Sequence, residues 1–325
     1  MKQLIIEIIT KSEDLPELEY KDFFHSKSLF CLCEKTPRIK PLMVVCKDAD
    51  GMVAAHLLAV VRIRASWFPP LFFMHARVYG EGEYETSEYS KDMLFGMMNE
   101  KLTHHLRNKV LYIEYSHISQ KMFGYRQFKV SGYFPVHWMS IHNSLHSHAP
   151  KERLSLKMLK RIRHAEARGV TTNVVATPDD FRAFIKLLKR HNIMKPKRYI
   201  PDEQFFANLS QTGKGKMFVT KVHSHVIGCS AVVFSNNNAY LWYSAFRRKS
   251  FAPYHPDIMT IWGTIENAYR EHYNHVFFMD VGLPFRRNLF RDFILRFGGK
   301  PVSTYRWFRV NIHWINSLLS WIYRQ

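Results

Sequence analysis

Two stretches of this chain read alike, and that echo restricts the fold more than any bulk property. Val276-Phe-Phe-Met-Asp-Val-Gly282 is a short apolar run ending in a carboxylate and then a glycine. A run of this length, bounded by polar residues, reads as a buried strand rather than a helix. Val110-Leu-Tyr-Ile-Glu-Tyr115 is the same kind of strand, and Glu114 matches Asp280 at an offset of 280 − 114 = 166. The surroundings match too. Each strand follows a β-hairpin, a further strand and a helix, and precedes a helix, a glycine turn and a last strand. Gly132-Tyr-Phe-Pro-Val136 mirrors Gly299-Lys-Pro-Val302. Two copies mean a duplicated domain rather than a solenoid.

In the first half, Leu4–Ile9 reads as an edge strand and 16–28 as a helix with Phe23 and Phe24 facing in. Pro41–Lys47 and Met52–Arg64 read as strands joined by Asp48-Ala-Asp-Gly51, an Asp-Gly hairpin signal. Ser90 is an N-cap for a helix to about Asn108, and a short helix lies near 120–126. The polar, histidine-rich 143–150 reads as a linker. The second half opens with a helix over 151–168, stopped by Gly169. Strand, two helices and a three-stranded meander follow. Then come a helix over 256–272, the strand of the opening, a helix over 286–297 and a strand over 301–310.

The formal charge of 47 − 27 = +20 predicts an anionic partner, whether nucleic acid, a phosphorylated co-substrate or a membrane surface. Cys31, Cys33, Cys46 and Cys229 imply no disulfide framework. Cys31-Leu-Cys33 on an extended segment points both thiols to one face with no second pair, so small buried hydrophobes are expected rather than zinc ligands. The scattered histidines show no metal spacing, and no metal is expected. No run reaches the length of a spanning helix, and the apolar start is too short for a secretory signal.

The order strand, helices, antiparallel meander, helix, strand, helix, strand resembles the GNAT acyltransferase fold. Two copies in tandem resemble the Fem-type aminoacyl ligases and the FemAB-like acetyltransferases of bacteria. The residues that carry this are Leu159–Val170, Tyr240-Leu-Trp-Tyr-Ser-Ala245, the helix through Trp262 and Ile265–Ala268, Met279-Asp-Val-Gly282 and Phe297–Val302. The likeness covers 151–310 and, more weakly, 1–150. It implies an α/β (α+β) class with two tandem GNAT-like domains, 1–142 and 151–325, each a mixed, mostly antiparallel sheet flanked by helices. It also implies acyl or aminoacyl transfer to an amine, with acyl-CoA or aminoacyl-tRNA as donor and no tightly bound cofactor. The acceptor would be an amine on an envelope or lipid-linked precursor. The place would be the bacterial cytoplasm, with peripheral contact to the inner membrane left open. The alternative is a non-catalytic protein of this fold that binds RNA or anionic lipid.

Candidate residues follow from chemistry. Asp280 sits where a strand ends, the place where open α/β sheets put ligand chemistry, and with Tyr243 it would serve as acid and base. The competing reading pairs Asp280 with Arg286 or Arg287. Arg247, Arg248 and Lys249 precede a helix start, a position suited to phosphate. Lys160, Arg161 and Arg163, with Lys157 and Arg168, form a cationic helix face opposite Leu159, Ile162 and Ala165. Arg77-Val-Tyr-Gly80-Glu-Gly82 has donor-loop spacing, but Glu81, Glu83, Glu85 and Glu88 would repel an anion, so it reads as a turn. From Ile312 the tail is an amphipathic helix rich in Trp, Leu and Ile, suited to a membrane interface or to docking on the protein's own sheet.

Overall fold

A computed structural model describes residues 4–66, 71–86, 88–192, 199–279, 281–283 and 287–323. The chain divides into two compact units, Met1–Trp138 with Ser303–Gln325, and Met139–Val302.

In the first unit, β1 (Ile5–Ile9), β2 (Ile39–Lys47), β3 (Val53–Ser66) and β4 (Leu71–Tyr79) form an antiparallel run, and β5 (Glu83–Tyr84) pairs with β3. The β2–β3 hairpin forms where its turn residues predict it. Asp48 Oδ1 accepts from Asp50 N at 3.0 Å and Met52 N at 2.9 Å, and Gly51 turns the chain at φ +80°. The helix expected over 16–28 does not form: 16–22 are irregular and Phe23–His25 make a single 3-10 turn, and α1 (Lys27–Glu34) begins only where Ser26 caps it by accepting from Leu29 N. Cys31-Leu-Cys33 is therefore helical, not extended. Cys33 is buried, which pushes its thiol up to about 12. The helix α2 (Lys91–Leu106) crosses over, and β6 (Tyr112–Ser116) returns parallel to β4. The short α3 (Tyr125–Val130) follows, later than the expected 120–126.

The second unit repeats the pattern. Its α4 (Leu156–Ala167), β8 (Val170–Val174), α5 (Pro178–Asn192) and α6 (Glu203–Gln211) lead into the meander β9 (Gly215–Val222), β10 (His225–Ser235) and β11 (Asn238–Phe246). Then α7 (Pro256–Arg270) crosses over, and β12 (His275–Phe278) runs parallel to β11, followed by α8 (Leu289–Leu295).

The closing strands are exchanged. The end of β7 (Phe134–Ser144), after the first copy, pairs antiparallel with β12, Asn143 facing Val276. The strand β13 (Lys300–Val310), after the second copy, pairs antiparallel with β6, Phe308 facing Glu114. The parallel strands β6 and β12 thus each have their outer backbone edge satisfied by the strand that closes the other copy's run of sequence. The expected boundaries shift accordingly. Residues 143–144 are strand rather than linker, and 303–325 belong with the first unit rather than with 151–302. After β13 comes α9 (His313–Ile322).

Each unit has its own core. Leu57, Met98, Tyr115, Phe128 and Trp307 are buried in the first, and Trp262, Ile265, Phe278 and Phe297 in the second. Fully burying each such side chain contributes roughly 1.5–3 kcal/mol.

Candidate active site in the second unit

The site begins with an irregularity in β11. Ala231 of β10 faces Tyr243, and the next residue, Val232, faces Leu241, so Trp242 is the extra residue of a β-bulge. Neighbours on a regular strand point to opposite faces. Here the bulge sets Trp242 and Tyr243 side by side, with ring centroids 5.7 Å apart. Trp242 meets Phe205 of α6 at 5.5 Å, and Tyr243 meets Phe206 at 5.4 Å. Among the described residues, pairing with β12 ends just before the bulge. The register ends at Leu241 with Phe278, and Met279 N adds one bond to Leu241 O at 3.3 Å, while β11 continues to Phe246. Asp280 comes next in the chain and lies outside the described residues.

The helix after β11 is held in place by hydroxyl groups. Thr220 Oγ1 lies 2.9 Å from Thr172 Oγ1 and 2.8 Å from Thr260 Oγ1, and Thr260 donates to Pro256 O at 2.7 Å. Ser230 and Thr264 meet at 2.9 Å. The close approach needs a glycine opposite. A Cβ on Gly228 would fall 1.9 Å from Thr260 Oγ1. Because that oxygen is already bonded twice, Gly228→Ala is expected to cost about 1–3 kcal/mol through overpacking. A melting temperature equal to that of the wild type would show that α7 shifts freely.

The start of α7 is cationic and partly filled by its own acid. Asp257 Oδ1 accepts from Ile258 N at 3.0 Å, and Oδ2 lies 3.3 Å from Arg248 Nε. That carboxylate takes a helix-start N–H, so a phosphate here would depend more on side chains than on backbone. Arg247 lies over the Phe251 ring at 4.8 Å, and Arg248 and Lys249 are exposed. Just after α4, Arg168 donates to Pro253 O at 3.0 Å. The His255 pKa is held below its ordinary value, first by burial and then by Arg161, with His164 and Arg168 adding and Asp257 opposing. Ile162 and Ala165 are buried as expected, Met158 is buried where Leu159 was expected and Leu159 is half-buried, and Lys160 and Arg163 are exposed. Arg161 also lines a cavity of about 480 Å³ with Arg153, Lys157 and Arg296, and no acid lines it among the described residues. Arg153 and Arg296 were not singled out from sequence. Arg153 precedes the Ser155 cap and Arg296 precedes a glycine turn, positions that carry no signal by themselves.

Residues 150–287 match the family model of the acetyltransferase (GNAT) domain. A search of curated protein sequences gives no match. Among solved structures, FemX superposes with a TM-score of 0.61 at 10% identity, covering 92% of this chain and 94% of that one. L-PGS from Bacillus licheniformis gives 0.59 at 10% identity, covering 91% and 92%. A tandem GNAT protein from the clavulanic acid biosynthesis pathway gives 0.58 at 10% identity, covering 95% and 99%. The chain has a tandem GNAT, FemAB-like fold. Its two GNAT units differ where the parallel strands end. In the first, pairing runs to Tyr79 with Ser116, and Gly80 N donates to Ser116 O at 2.7 Å. Glu114, the counterpart of Asp280, is buried 2.9 Å from Arg306 and 3.6 Å from Arg77. The loop with donor-like spacing is filled from within. His25 Nε2 lies 3.0 Å from Gly82 N, and Glu81 and Glu83 accept from Ser119 and Asp22. The expectation of a turn there fits this packing.

Proposed function

We propose that the second GNAT unit transfers an acyl or aminoacyl group from a phosphate-bearing donor, acyl-CoA or aminoacyl-tRNA, onto an amine. The observation that carries this reading is the bulged end of β11, beyond the last pairing with β12 and followed by the cationic start of α7. A donor arm laid along that strand end brings its carbonyl to the bulge and its phosphates to Arg247, Arg248, Lys249 and the α4 cations Lys160, Arg161 and Arg163. The amine nitrogen attacks the carbonyl carbon. The bond from that carbon to the thioester sulfur, or to the ribose oxygen, then breaks. One N–H proton is lost from nitrogen and one is gained by the leaving atom. Asp280 is assigned the first transfer and Tyr243 the second. Positioning and stabilisation of the tetrahedral oxyanion supply most of the acceleration in such chemistry.

The test follows donor consumption with both donors in parallel against a panel of amines. It reads free thiol from acetyl-CoA and deacylated tRNA from aminoacyl-tRNA. Arg161→Ala and Arg247→Ala are each expected to raise KM for the productive donor about tenfold, the loss of one charge-assisted contact. If the wild type turns over neither donor, and RNA alone raises its melting temperature at 150 mM salt, the chain is a binding protein without chemistry.

A further inference from the structure

The helix α9 shows an apolar stripe to solvent. An ordinary surface helix buries its apolar stripe and shows its polar side. Here none of the ten residues is buried. Trp314, Leu318, Trp321 and Ile322 fall on one side at the i, i+4, i+7, i+8 spacing, and they are 67%, 49%, 70% and 55% exposed. The side toward the protein carries the half-buried Ile315 and Leu319 and one amide, Asn316. Asn316 Oδ1 accepts from Val310 N at 2.8 Å, and its Nδ2 donates to Gly132 O at 3.0 Å. Just before the helix, Asn311 Nδ2 donates to Leu106 O and Val110 O, and just after it Tyr323 stacks on Phe134. The helix is pinned to the first unit by amide hydrogen bonds and holds its indoles outward.

We infer that α9 seats the protein on the surface of an anionic phospholipid bilayer. Tryptophan suits that boundary, since its ring is apolar and its N–H stays within reach of headgroups. Charge agrees. The chain carries +20, and Arg309 lies immediately before the Val310–Asn316 bond. Arg107 and Arg126 line a groove with Arg309 and the 82% exposed Val130, against Asp92 and Glu100. Basic residues near a membrane add to insertion of an apolar helix face. A second copy of the chain is a poorer occupant. A ten-residue helix is about 15 Å long and about 10 Å across, and such a footprint falls short of the roughly 800 Å² per partner of a stable interface. The inference stands apart from the transfer reaction and does not need it.

The test is co-sedimentation of the full chain with vesicles of phosphatidylcholine, and of phosphatidylcholine mixed with phosphatidylglycerol. The wild type is expected to pellet with the mixed vesicles and several-fold less with the neutral ones. The double variant Trp314→Ser, Trp321→Ser should lose about tenfold or more in affinity for the mixed vesicles, with an unchanged melting temperature. A wild type that stays in the supernatant overturns the inference, and so does a double variant that binds equally. Light scattering adds a third contrary outcome. A wild-type dimer that the double variant converts to monomer, with no vesicle binding, would assign the face to a second copy.

Discussion

Replacing Glu114 with glutamine is expected to cost about 3–5 kcal/mol, the usual effect of removing one partner from a buried charge pair. The carboxylate is buried between two guanidinium groups, Arg306 at 2.9 Å and Arg77 at 3.6 Å. The side chains of Arg77 and Arg306 are 9% and 6% exposed, so neither cation can turn to solvent without local opening. Arg77 also donates to Ser116 Oγ and lies over Tyr79 at 4.5 Å, and Arg306 lies over Trp138 at 3.8 Å. The three charges tie β4, β6 and β13 together where the first unit's parallel strands end. Loss of Glu114 leaves two neighbouring positive charges with one less anion, and like charges in a low dielectric repel strongly. Denaturant unfolding would report the effect. A midpoint within error of the wild type would mean the triad contributes little, and that β13 is held by its backbone ladder alone.

Asp280→Asn should do the opposite, leaving stability near the wild type and lowering turnover by about 10²–10⁴, the range for loss of a positioned acid–base group. The contrast follows from duplication. Both acids end the same kind of strand, 166 residues apart by 280 − 114. In the first copy two arginines neutralise the acid, and the strands on either side stay paired past it. In the second, pairing between β11 and β12 among the described residues runs to Leu241 with Phe278. Under the proposed function, the second copy's acid acts on the ligand instead. If the variant unfolds as readily as Glu114→Gln, or turns over like the wild type, the assignment of Asp280 fails.

Much of the architecture was legible because local signals agreed. The run Val276–Phe278, the Asp-Gly turn after β2 and Gly169 after α4 each point to one local structure. The repeated order of elements then points to a repeated module. What escaped the sequence is non-local. Exchange of β7 and β13 depends on pairing between strands more than 100 residues apart, and the Arg306–Glu114 bond spans 192 residues. Periodicity carries no information about such pairs. The two-residue spacing of Cys31-Leu-Cys33 suits a strand, but the Ser26 cap decides for a helix. The bulge at Trp242 left no mark, since any residue can be the extra one.

The cationic part of the candidate site was legible as composition but not as geometry. Arg161 and Arg247 could be named from their charge and position. That Asp257 fills a bond at the start of α7, or that Arg153 and Arg296 share a cavity with Arg161, rests on how the elements come together.

Hydrogen exchange of the full chain with and without each donor tests the central claim most directly. Whichever donor supports transfer is expected to slow exchange in 241–260 and 156–168 of the second unit and to leave 75–84 of the first unchanged. Protection confined to 75–84, with 241–260 exchanging as in the free protein, would contradict the account.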